Sequence, residues 1–418
     1  MSSNQVVTFG CRLNIFESQV IKENLDKSGS QNTIVVNTCA VTNEAEKQAL
    51  QSIRKLKREN PTCNIVVTGC GAQLRPELFA NMNEVTKVLG NQEKMQMESY
   101  LALNDDSNKI VVNDIMLLKE SAIHMVQHFD SKTRAFIEIQ NGCNHRCTFC
   151  IIPFARGNNR SITVTNIVEQ VKSLVLQGFN EVVFTGVDIS DYGKDLPGSP
   201  TLAQLIKSLL NLVPNLARLR LSSIDVAEID SELFNLMATE PRLMPHFHIS
   251  AQAGDDMILK RMKRRHNRTQ IIDFCQSLRS LRPEVAFGAD IIAGFPTETD
   301  EMFANTYKVI EEAGIQFLHV FPYSEKVGTP AARMPQVPQH IRKNRAKALR
   351  QEGLKELNKF LHKLVGSRSN MLLEKNNFGH ADNFVPTILE QEYVKTNEII
   401  PVEFVSIIGN KLLARSLF

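Results

Sequence analysis

The sequence predicts an α/β protein with an N-terminal parallel α/β domain, a partial (β/α)6 barrel and a small C-terminal β-barrel. Three observations lead to this organisation. Apolar runs that end near cysteines open the chain, strands and helices then alternate six times, and about fifty residues of short strands close it. A chain of 418 residues is long enough for about three domains. We expect them over residues 1–128, 129–365 and 366–418.

The N-terminal domain is predicted from three short apolar runs, each followed by a cysteine. The runs and their cysteines are Val6–Phe9 with Cys11, Thr33–Val36 with Cys39, and Ile65–Thr68 with Cys70. Ligands of a parallel sheet gather beyond the carboxyl ends of its strands, so the three thiols should meet at one edge. The alternative for each is an ordinary buried cysteine, which behaves as a small apolar residue. Cys63 and Cys275 match no motif, and we expect them to be structural.

A helix between the second and third runs completes the predicted strand–helix–strand unit. Its apolar face contains Ala49, Leu50, Ile53 and Leu56. Asn43 and Glu46 have the spacing of a capping box, and Pro61 follows the expected end of the helix.

The barrel is predicted from six strand-like runs separated by helical patterns. The runs are Ala135–Gln140, Glu181–Thr185, Arg218–Ser222, His246–Ser250, Val285–Ile292 and Gln316–Phe321. Catalytic loops of such barrels follow the carboxyl ends of the strands. A loop with three cysteines, C-x3-C-x2-C, directly follows the first run.

The loop cysteines Cys143, Cys147 and Cys150 have the spacing of an iron–sulfur site. Three thiolates can hold one side of a four-iron, four-sulfur cluster and leave the fourth iron open for a substrate. The alternatives are unrelated core cysteines or a zinc site with His145 as its fourth ligand. Zinc sites more often combine two cysteine pairs, or a cysteine pair with a histidine pair, and no second pair follows here.

The C-terminal part begins with prolines and a basic helix. Gly328 to Pro335 should form an extended connector, and residues 339–365 a helix with a local surplus of positive charge. A second basic run, Lys260–Arg265, follows the fourth barrel strand. Each run could be a solvated helix face, but with two of them we expect at least one to contact phosphate. Gly409 and Asn410 between two apolar runs predict a hairpin in the final β-barrel.

Composition excludes several classes of protein. No apolar stretch approaches the roughly 18–20 residues of a membrane span, and the first residues lack the pattern of a signal peptide. Eight cysteines in so long a chain are too few for a disulfide scaffold, which favours the reducing cytoplasm. A net charge of +3 means that any nucleic-acid surface must be local.

These motifs together resemble the radical S-adenosylmethionine methylthiotransferases. The barrel loop, with Arg156 and Gly157 after it, is similar to the loop of this family. The contexts of Cys11, Cys39 and Cys70 resemble its N-terminal domain, and the last domain resembles its TRAM RNA-binding domain. The resemblance covers essentially the whole chain.

The resemblance implies two four-iron, four-sulfur clusters and two molecules of S-adenosylmethionine per turnover. Cys143, Cys147 and Cys150 would hold the cluster that cleaves the cofactor to a radical, and the N-terminal cysteines an auxiliary cluster that carries the inserted sulfur. No side-chain acid or base would then carry the reaction, because the cofactors supply it. Cofactor contacts are implied at the strand ends, at Gly186, Asp188, Ser222, Ser250 and Gln252. Gly186–Asp188 departs from the Gly-Gly-Glu of the superfamily because it retains the acid and loses one glycine.

The resemblance also implies a tRNA anticodon stem-loop as partner and an electron donor such as a flavodoxin or ferredoxin, and it leaves the sulfur donor unknown. Ala40–Thr42, Gln252–Asp256 and Val320–Ser324 are similar to the enzymes that act on N6-threonylcarbamoyladenosine. Sister groups act on isopentenyladenosine in tRNA or on an aspartate of a ribosomal protein, and few residues separate the groups.

Two further hypotheses come from other readings of the same residues. A non-catalytic RNA-binding protein with zinc at both cysteine sets would explain the basic runs, but not an open three-cysteine loop at a barrel rim. A radical methylase without sulfur insertion would leave the N-terminal cysteines without a role. Iron content separates these readings, because two four-iron clusters give about eight irons per chain.

Overall fold

The structure is a computed structural model that describes residues 4–101, 103, 108–119, 133–391 and 395–418. Its N-terminal domain is a five-stranded parallel sheet with helices packed on it. Its strands lie in the order of the chain. They are β1 (Gln5–Thr8), β2 (Thr33–Thr38), β3 (Asn64–Gly69), β4 (Lys87–Leu89) and β5 (Ile110–Val111). Its helices are α1 (Arg12–Ser28), α2 (Asn43–Glu59), α3 (Cys70–Leu74), α4 (Pro76–Ala80) and α5 (Glu98–Leu101). The three predicted strands are confirmed. β2 and β3 are almost wholly buried because helices cover both faces.

The cap of α2 differs from the prediction. Thr42 is the N-cap, and its Oγ1 accepts a hydrogen bond from the backbone N–H of Ala45. The predicted Asn43–Glu46 capping box is wrong because Thr42 already satisfies the helix end. Asn43 instead donates its side-chain amide to the carbonyl of Glu325 at 3.3 Å, in the loop after the last barrel strand.

The middle domain is a partial barrel of parallel strands. Its strands and a small antiparallel pair are β6 (Arg134–Glu138), β7 (Gln140–Asn141), β8 (Arg160–Ser161), β9 (Glu181–Thr185), β10 (Arg218–Leu221), β11 (Ser223–Ile224), β12 (His246–Gln252), β13 (Ala286–Ala293) and β14 (Phe317–Pro322). Its helices are α6 (Ile152–Arg156), α7 (Val164–Leu176), α8 (Leu202–Leu212), α9 (Ser231–Thr239), α10 (Asp256–Met262), α11 (Arg268–Leu281) and α12 (Asp300–Ala313). β9 lies between β6 and β10, and β11 to β14 pair in the order of the chain. β10 and β11 are consecutive strands separated only by Ser222.

The open side of this barrel lies between β6 and β14, which are not paired in the described part of the chain. Helix α1 of the N-terminal domain packs beside β6. Leu13, Phe16 and Val20 share one apolar core with Ala135 and Ile137. The N-terminal domain is therefore fixed against the barrel by the same apolar burial that stabilises the barrel itself.

The connector after the barrel is less extended than predicted. It contains a 3₁₀ turn over Pro330–Arg333, and Ala331 is fully buried. The backbone N–H of Ala331 donates to the carbonyl of Thr148 at 2.9 Å. The connector turns because it packs against the three-cysteine loop.

The C-terminal part is one long helix and a closed five-stranded barrel, as the sequence predicts. These elements are α13 (Gln339–Leu364), β15 (Arg368–Lys375), β16 (Phe378–Ala381), β17 (Pro386–Leu389), β18 (Ile399–Ile408) and β19 (Lys411–Ser416). The predicted hairpin is confirmed, since Ile408 pairs with Lys411 across Gly409 and Asn410. Asp382 accepts from Arg218 at 2.6 Å, which joins this small barrel to the amino-terminal ends of the large one.

The predicted boundary between residues 128 and 129 lies outside the described residues. No helix in the described part of the chain is both long and apolar enough to cross a membrane.

Candidate active site

The N-terminal cysteines meet at one edge of the first sheet. Cys11 is the exposed N-cap of α1, Cys39 directly follows β2, and Cys70 begins α3; the last two are buried. Gly10 has a φ of 97°, and a Cβ atom there would lie 2.9 Å from the sulfur of Cys39. Only glycine allows the loop before Cys11 to pass so close to Cys39. We call these three residues the N-terminal triad.

The thiols of the N-terminal triad influence one another. Burial raises the pKa of Cys39 to about 11, and the negative charges of Cys70 and Cys11 add to this effect. The backbone N–H of Val41 donates to the Cys39 sulfur at 3.5 Å, which partly opposes it. The protein does little to stabilise the ionised forms of these three adjacent thiols. They are therefore suited to a positively charged metal group, which would keep them ionised.

Cys143, Cys147 and Cys150, the barrel triad, lie on a loop that the backbone holds at both ends. The N–H of Cys143 donates to Gly157 at 3.0 Å, and the N–H of Thr148 donates to Met262 at 3.1 Å. Gly142 has a φ of 73°, and a Cβ atom there would lie 1.8 Å from a backbone oxygen of the same loop region. The short loop can therefore form only with glycine directly before the first cysteine.

The two triads face each other closely enough to interact electrostatically. Burial raises the pKa of Cys143 well above its usual range, and the negative charge of Asp188 raises it further. Burial raises the pKa of Cys150 to about 12, and both Cys147 and Cys70 add to the effect. Cys70 belongs to the other triad, and it packs in one apolar cluster with Ala155 and with Ile151, the residue after Cys150. The two triads therefore lie on either side of this contact between the domains.

Arginines from the predicted basic run Lys260–Arg265 turn toward this site. Arg264 Nη1 lies 3.5 Å from the Cys147 sulfur, and its Nη2 donates to Asp225 at 2.8 Å. Its side chain is only 9 % exposed. Arg265 pairs with Glu228 and contacts His145 of the cysteine loop. A positive charge of this run therefore lies beside the barrel triad. No pattern in the run indicates which of its lysines and arginines turn inward.

A buried ionic network joins the two domains beside the triads. Arg156 donates to both carboxylate oxygens of Glu17 at 2.8 and 3.0 Å, and Lys94 donates to Glu17 at 2.6 Å. Arg156 also donates at 2.7 Å to Asn14, three residues after Cys11. Burial alone would raise the pKa of Glu17, but Arg156 and Lys94 outweigh it and hold the pKa at about 2. Asn91 adds a link at 2.7 Å to the carbonyl of Ala155.

The predicted cofactor contacts lie at the carboxyl ends of the barrel strands. They are Gly186, Asp188, Ser222, Ser250 and Gln252. The N–H of Asp188 donates to Gln140 at 2.8 Å, and its carboxylate lies 2.9 Å from His145 Nε2. Gln252 has a φ of 65°, at a bulge that ends β12. The loop of the barrel triad lies at this same rim, directly after β6 and β7.

Comparison with known families covers both halves of the site. Residues 137–310 match the radical SAM superfamily, and residues 4–90 match the uncharacterized protein family UPF0004. In solved structures, the radical S-adenosylmethionine methyltransferase TsrM from Kitasatospora setae is 14 % identical, with a TM-score of 0.57 over 79 % of this chain and 77 % of that protein. This likeness shows the fold alone.

Curated relatives match along nearly the whole chain. The threonylcarbamoyladenosine tRNA methylthiotransferase MtaB of Rickettsia prowazekii is 61 % identical over 96 % of this chain and 95 % of its own length. The MtaB of Aquifex aeolicus is 35 % identical over 94 % of this chain and 98 % of its own. The tRNA-2-methylthio-N(6)-dimethylallyladenosine synthase of Rickettsia conorii is 31 % identical over 89 % of this chain and 88 % of its own. The chain therefore belongs to the radical S-adenosylmethionine methylthiotransferases, in the MtaB family.

Proposed function

We propose that this enzyme converts N6-threonylcarbamoyladenosine, immediately 3′ of the tRNA anticodon at position 37, into its 2-methylthio derivative. The observation that carries the reaction type is the pair of neighbouring cysteine triads, with Cys70 packed in one apolar cluster with Ala155 and Ile151, which follow the three-cysteine loop. The substrate follows from similarity, 61 % to an MtaB enzyme against 31 % to a dimethylallyladenosine synthase. The isopentenyl substrate is the alternative, and the ribosomal-protein substrate a more distant one.

The cofactors of the family are S-adenosylmethionine and two four-iron, four-sulfur clusters. We propose the barrel triad and the N-terminal triad as the two sets of ligands. The donor sets fit, because each contains three converging thiols and leaves one iron of a cluster without a protein ligand. When bound, these groups supply the electron that cleaves S-adenosylmethionine and the sulfur that is inserted.

The protein's own contribution is position and electrostatics. Arg264 places a guanidinium N–H donor 3.5 Å from the Cys147 sulfur. The network of Arg156, Glu17 and Lys94 fixes the N-terminal triad relative to the barrel rim. We propose that Gly186, Asp188, Ser222, Ser250 and Gln252 orient S-adenosylmethionine at that rim. Holding three reactants in a near-attack arrangement can account for a large part of such a rate enhancement.

The proposed division of labour assigns residues 1–128 to the auxiliary cluster, 129–365 to the radical reaction, and 366–418 to RNA binding as a TRAM-like domain. Helix α13 supports a role in RNA binding, because Lys343, Lys347 and Lys363 are exposed along it. Its other basic residues are used within the fold; Arg345, for example, pairs with Asp300 at 2.6 Å. A flavodoxin or ferredoxin as electron donor and a cytoplasmic location are part of the same proposal.

The substrate is tested with the reconstituted enzyme and two anticodon stem-loops, one with threonylcarbamoyladenosine and one with isopentenyladenosine. Nucleoside mass spectrometry should find the methylthio product from the first and little from the second. Preferential turnover of the isopentenyl stem-loop would move the chain to the sister group and leave the reaction type unchanged. Nucleosides of tRNA from a strain without the gene provide the test in the cell.

A further inference from the structure

Three polar side chains meet on adjacent barrel strands in a place that the cysteine chemistry does not explain. They are His248 on β12, Asp290 on β13 and His319 on β14. His248 Nε2 lies 3.0 Å from Asp290 Oδ1, and His319 Nδ1 lies 3.3 Å from the same oxygen. The two imidazole rings are 4.8 Å apart. The neighbours of His248 in the strand, Phe247 and Ile249, belong to the core beneath the helices, so His248 faces the barrel interior.

This cluster opens toward the unpaired side of the barrel. The exposed fraction of the side chain rises from 7 % at His248 to 26 % at Asp290 and 58 % at His319. Gly288 leaves room for it, since a Cβ atom there would lie 2.4 Å from His248 Nδ1. A histidine that only packs in the core would not need a second histidine exposed beside it on the edge strand, as His319 is.

Asp290 is held as an ionised acceptor. Burial would raise its pKa, but hydrogen bonds from His248 and His319 outweigh burial and keep the pKa well below its usual range. His319 uses Nδ1 for this bond, which leaves Nε2 as the ring atom that a ligand could reach. The opening therefore offers a carboxylate acceptor and an imidazole within one polar patch.

We propose that Asp290 and His319 bind the threonylcarbamoyl group on N6 of the substrate adenosine. This inference rests on the proposed function. A protonated His319 ring donates from Nδ1 to Asp290 and from Nε2 to the carboxylate of this group, and Asp290 accepts from its hydroxyl or ureido N–H. An isopentenyl group has no polar atom, so it would cover Asp290 and His319 without offering either of them a hydrogen bond, which is how polar sites reject apolar analogues.

The test measures binding of three anticodon stem-loops to the reconstituted enzyme. The first bears threonylcarbamoyladenosine, the second its analogue with a carboxamide in place of the threonine carboxylate, and the third unmodified adenosine. In His319→Phe, the preference for the first stem-loop over the third should fall by roughly 10- to 100-fold, the effect of losing a charge-assisted hydrogen bond. Asp290→Asn should also reduce the preference.

Two comparisons make the result specific. For the wild-type enzyme the carboxamide stem-loop should bind more weakly than the carboxylate one, and in His319→Phe this difference should largely disappear. His340→Phe is the matched control, since His340 is exposed at the start of α13; it should retain the full preference. Iron content and circular dichroism verify that each variant is folded and loaded.

Several results would overturn the inference. His319→Phe could weaken all three stem-loops equally, which would indicate a general contact with RNA, or it could leave the preference intact. Loss of a bound metal ion other than iron from His319→Phe would make the cluster a metal site instead. If the wild-type enzyme itself showed no preference for threonylcarbamoyladenosine, the proposed function would fail, and this outcome is distinct from the others.

Discussion

Each of the two triads brings three thiols together, but the two do so in opposite ways. The barrel triad lies within eight consecutive residues, 143–150, on one loop that a glycine and backbone hydrogen bonds fix locally. The N-terminal triad collects residues from three strand ends up to 59 positions apart in the sequence, 11 to 70, and only the parallel sheet brings them together. The local site is therefore defined by spacing, and the distributed one by topology.

Their electrostatic surroundings differ as well. The barrel triad has an arginine, Arg264, at hydrogen-bond distance from one sulfur, and Asp225 holds that arginine in place. The N-terminal triad has the fully buried Arg156 nearby, which is fixed by Glu17 and donates to the amide oxygen of Asn14. Arg264 therefore contacts a thiol directly, whereas Arg156 contacts Glu17 and Asn14 and influences the thiols of the N-terminal triad only through its charge. Substitutions in or beside the two triads should therefore have different effects on activity and stability.

Loss of one cysteine should separate the triads most strongly. Cys147→Ala should abolish cleavage of S-adenosylmethionine and product formation together, because the barrel triad loses a ligand. Cys39→Ala should leave cleavage largely intact and eliminate the methylthiolated nucleoside. Both products can be measured by mass spectrometry, with iron content falling from about eight to about four per chain in either variant.

Cys275→Ala provides the control, since Cys275 is buried in the barrel core away from both triads. It should retain about eight irons and both activities. Full product from Cys39→Ala enzyme would show that the N-terminal triad is not the sulfur-bearing site.

This comparison also explains how far the sequence could be interpreted. Cys143, Cys147 and Cys150 were predictable because a loop spacing is a local property. The convergence of Cys11, Cys39 and Cys70 was predictable only after the strands had been identified. Arg264, Glu17 and Lys94 were not predictable, since neither a basic run nor an isolated charge indicates which side chains turn inward. That choice depends on partners such as Asp225, which lies 39 residues from Arg264.

The second-largest effect is expected in the network that positions the N-terminal triad. Glu17→Gln leaves the buried Arg156 and Lys94 without their carboxylate. A carboxyl group whose pKa falls from 4.5 to about 2 on folding contributes about 3 kcal/mol to the free energy of unfolding at pH 7. Because the pKa is lowered, this contribution is present above about pH 4.5 and is lost as the pH falls toward 2. Urea unfolding at pH 7 and pH 3.5 should show a smaller difference between wild type and variant at the lower pH.

Glu59→Gln is the matched control for this experiment. Glu59 is exposed and lies 3.9 Å from Lys55 one turn away on α2, a pair that is expected to contribute only a few tenths of a kcal/mol. An equal loss in Glu17→Gln and Glu59→Gln would contradict a stabilising role for the buried network.

A smaller effect is expected when the arginine beside the barrel triad is changed. Arg264→Gln removes a charged donor to the Cys147 sulfur and leaves Asp225 with His266 as its main partner. The rate of S-adenosylmethionine cleavage should fall by roughly 10- to 100-fold, the range for one charge-assisted hydrogen bond. Arg264→Lys should recover part of the rate because it restores the positive charge. Unchanged cleavage in both variants would show that Arg264 has only a structural role.

The smallest effect is expected for the two basic segments, which differ in the direction that their side chains face. Lys260–Arg265 turns Arg264 and Arg265 toward the three-cysteine loop, whereas α13 presents Lys343 and Lys347 to solvent. If α13 contacts tRNA phosphates, Lys343→Gln and Lys347→Gln should each make the log–log salt dependence of tRNA binding shallower by ~0.7–0.9. Lys260→Gln and Lys263→Gln, two exposed lysines of the other segment, should leave that slope unchanged. A change of slope in the control pair alone would place the phosphate contact beside the cysteine loop, and the outward-facing helix would then be a solvated surface.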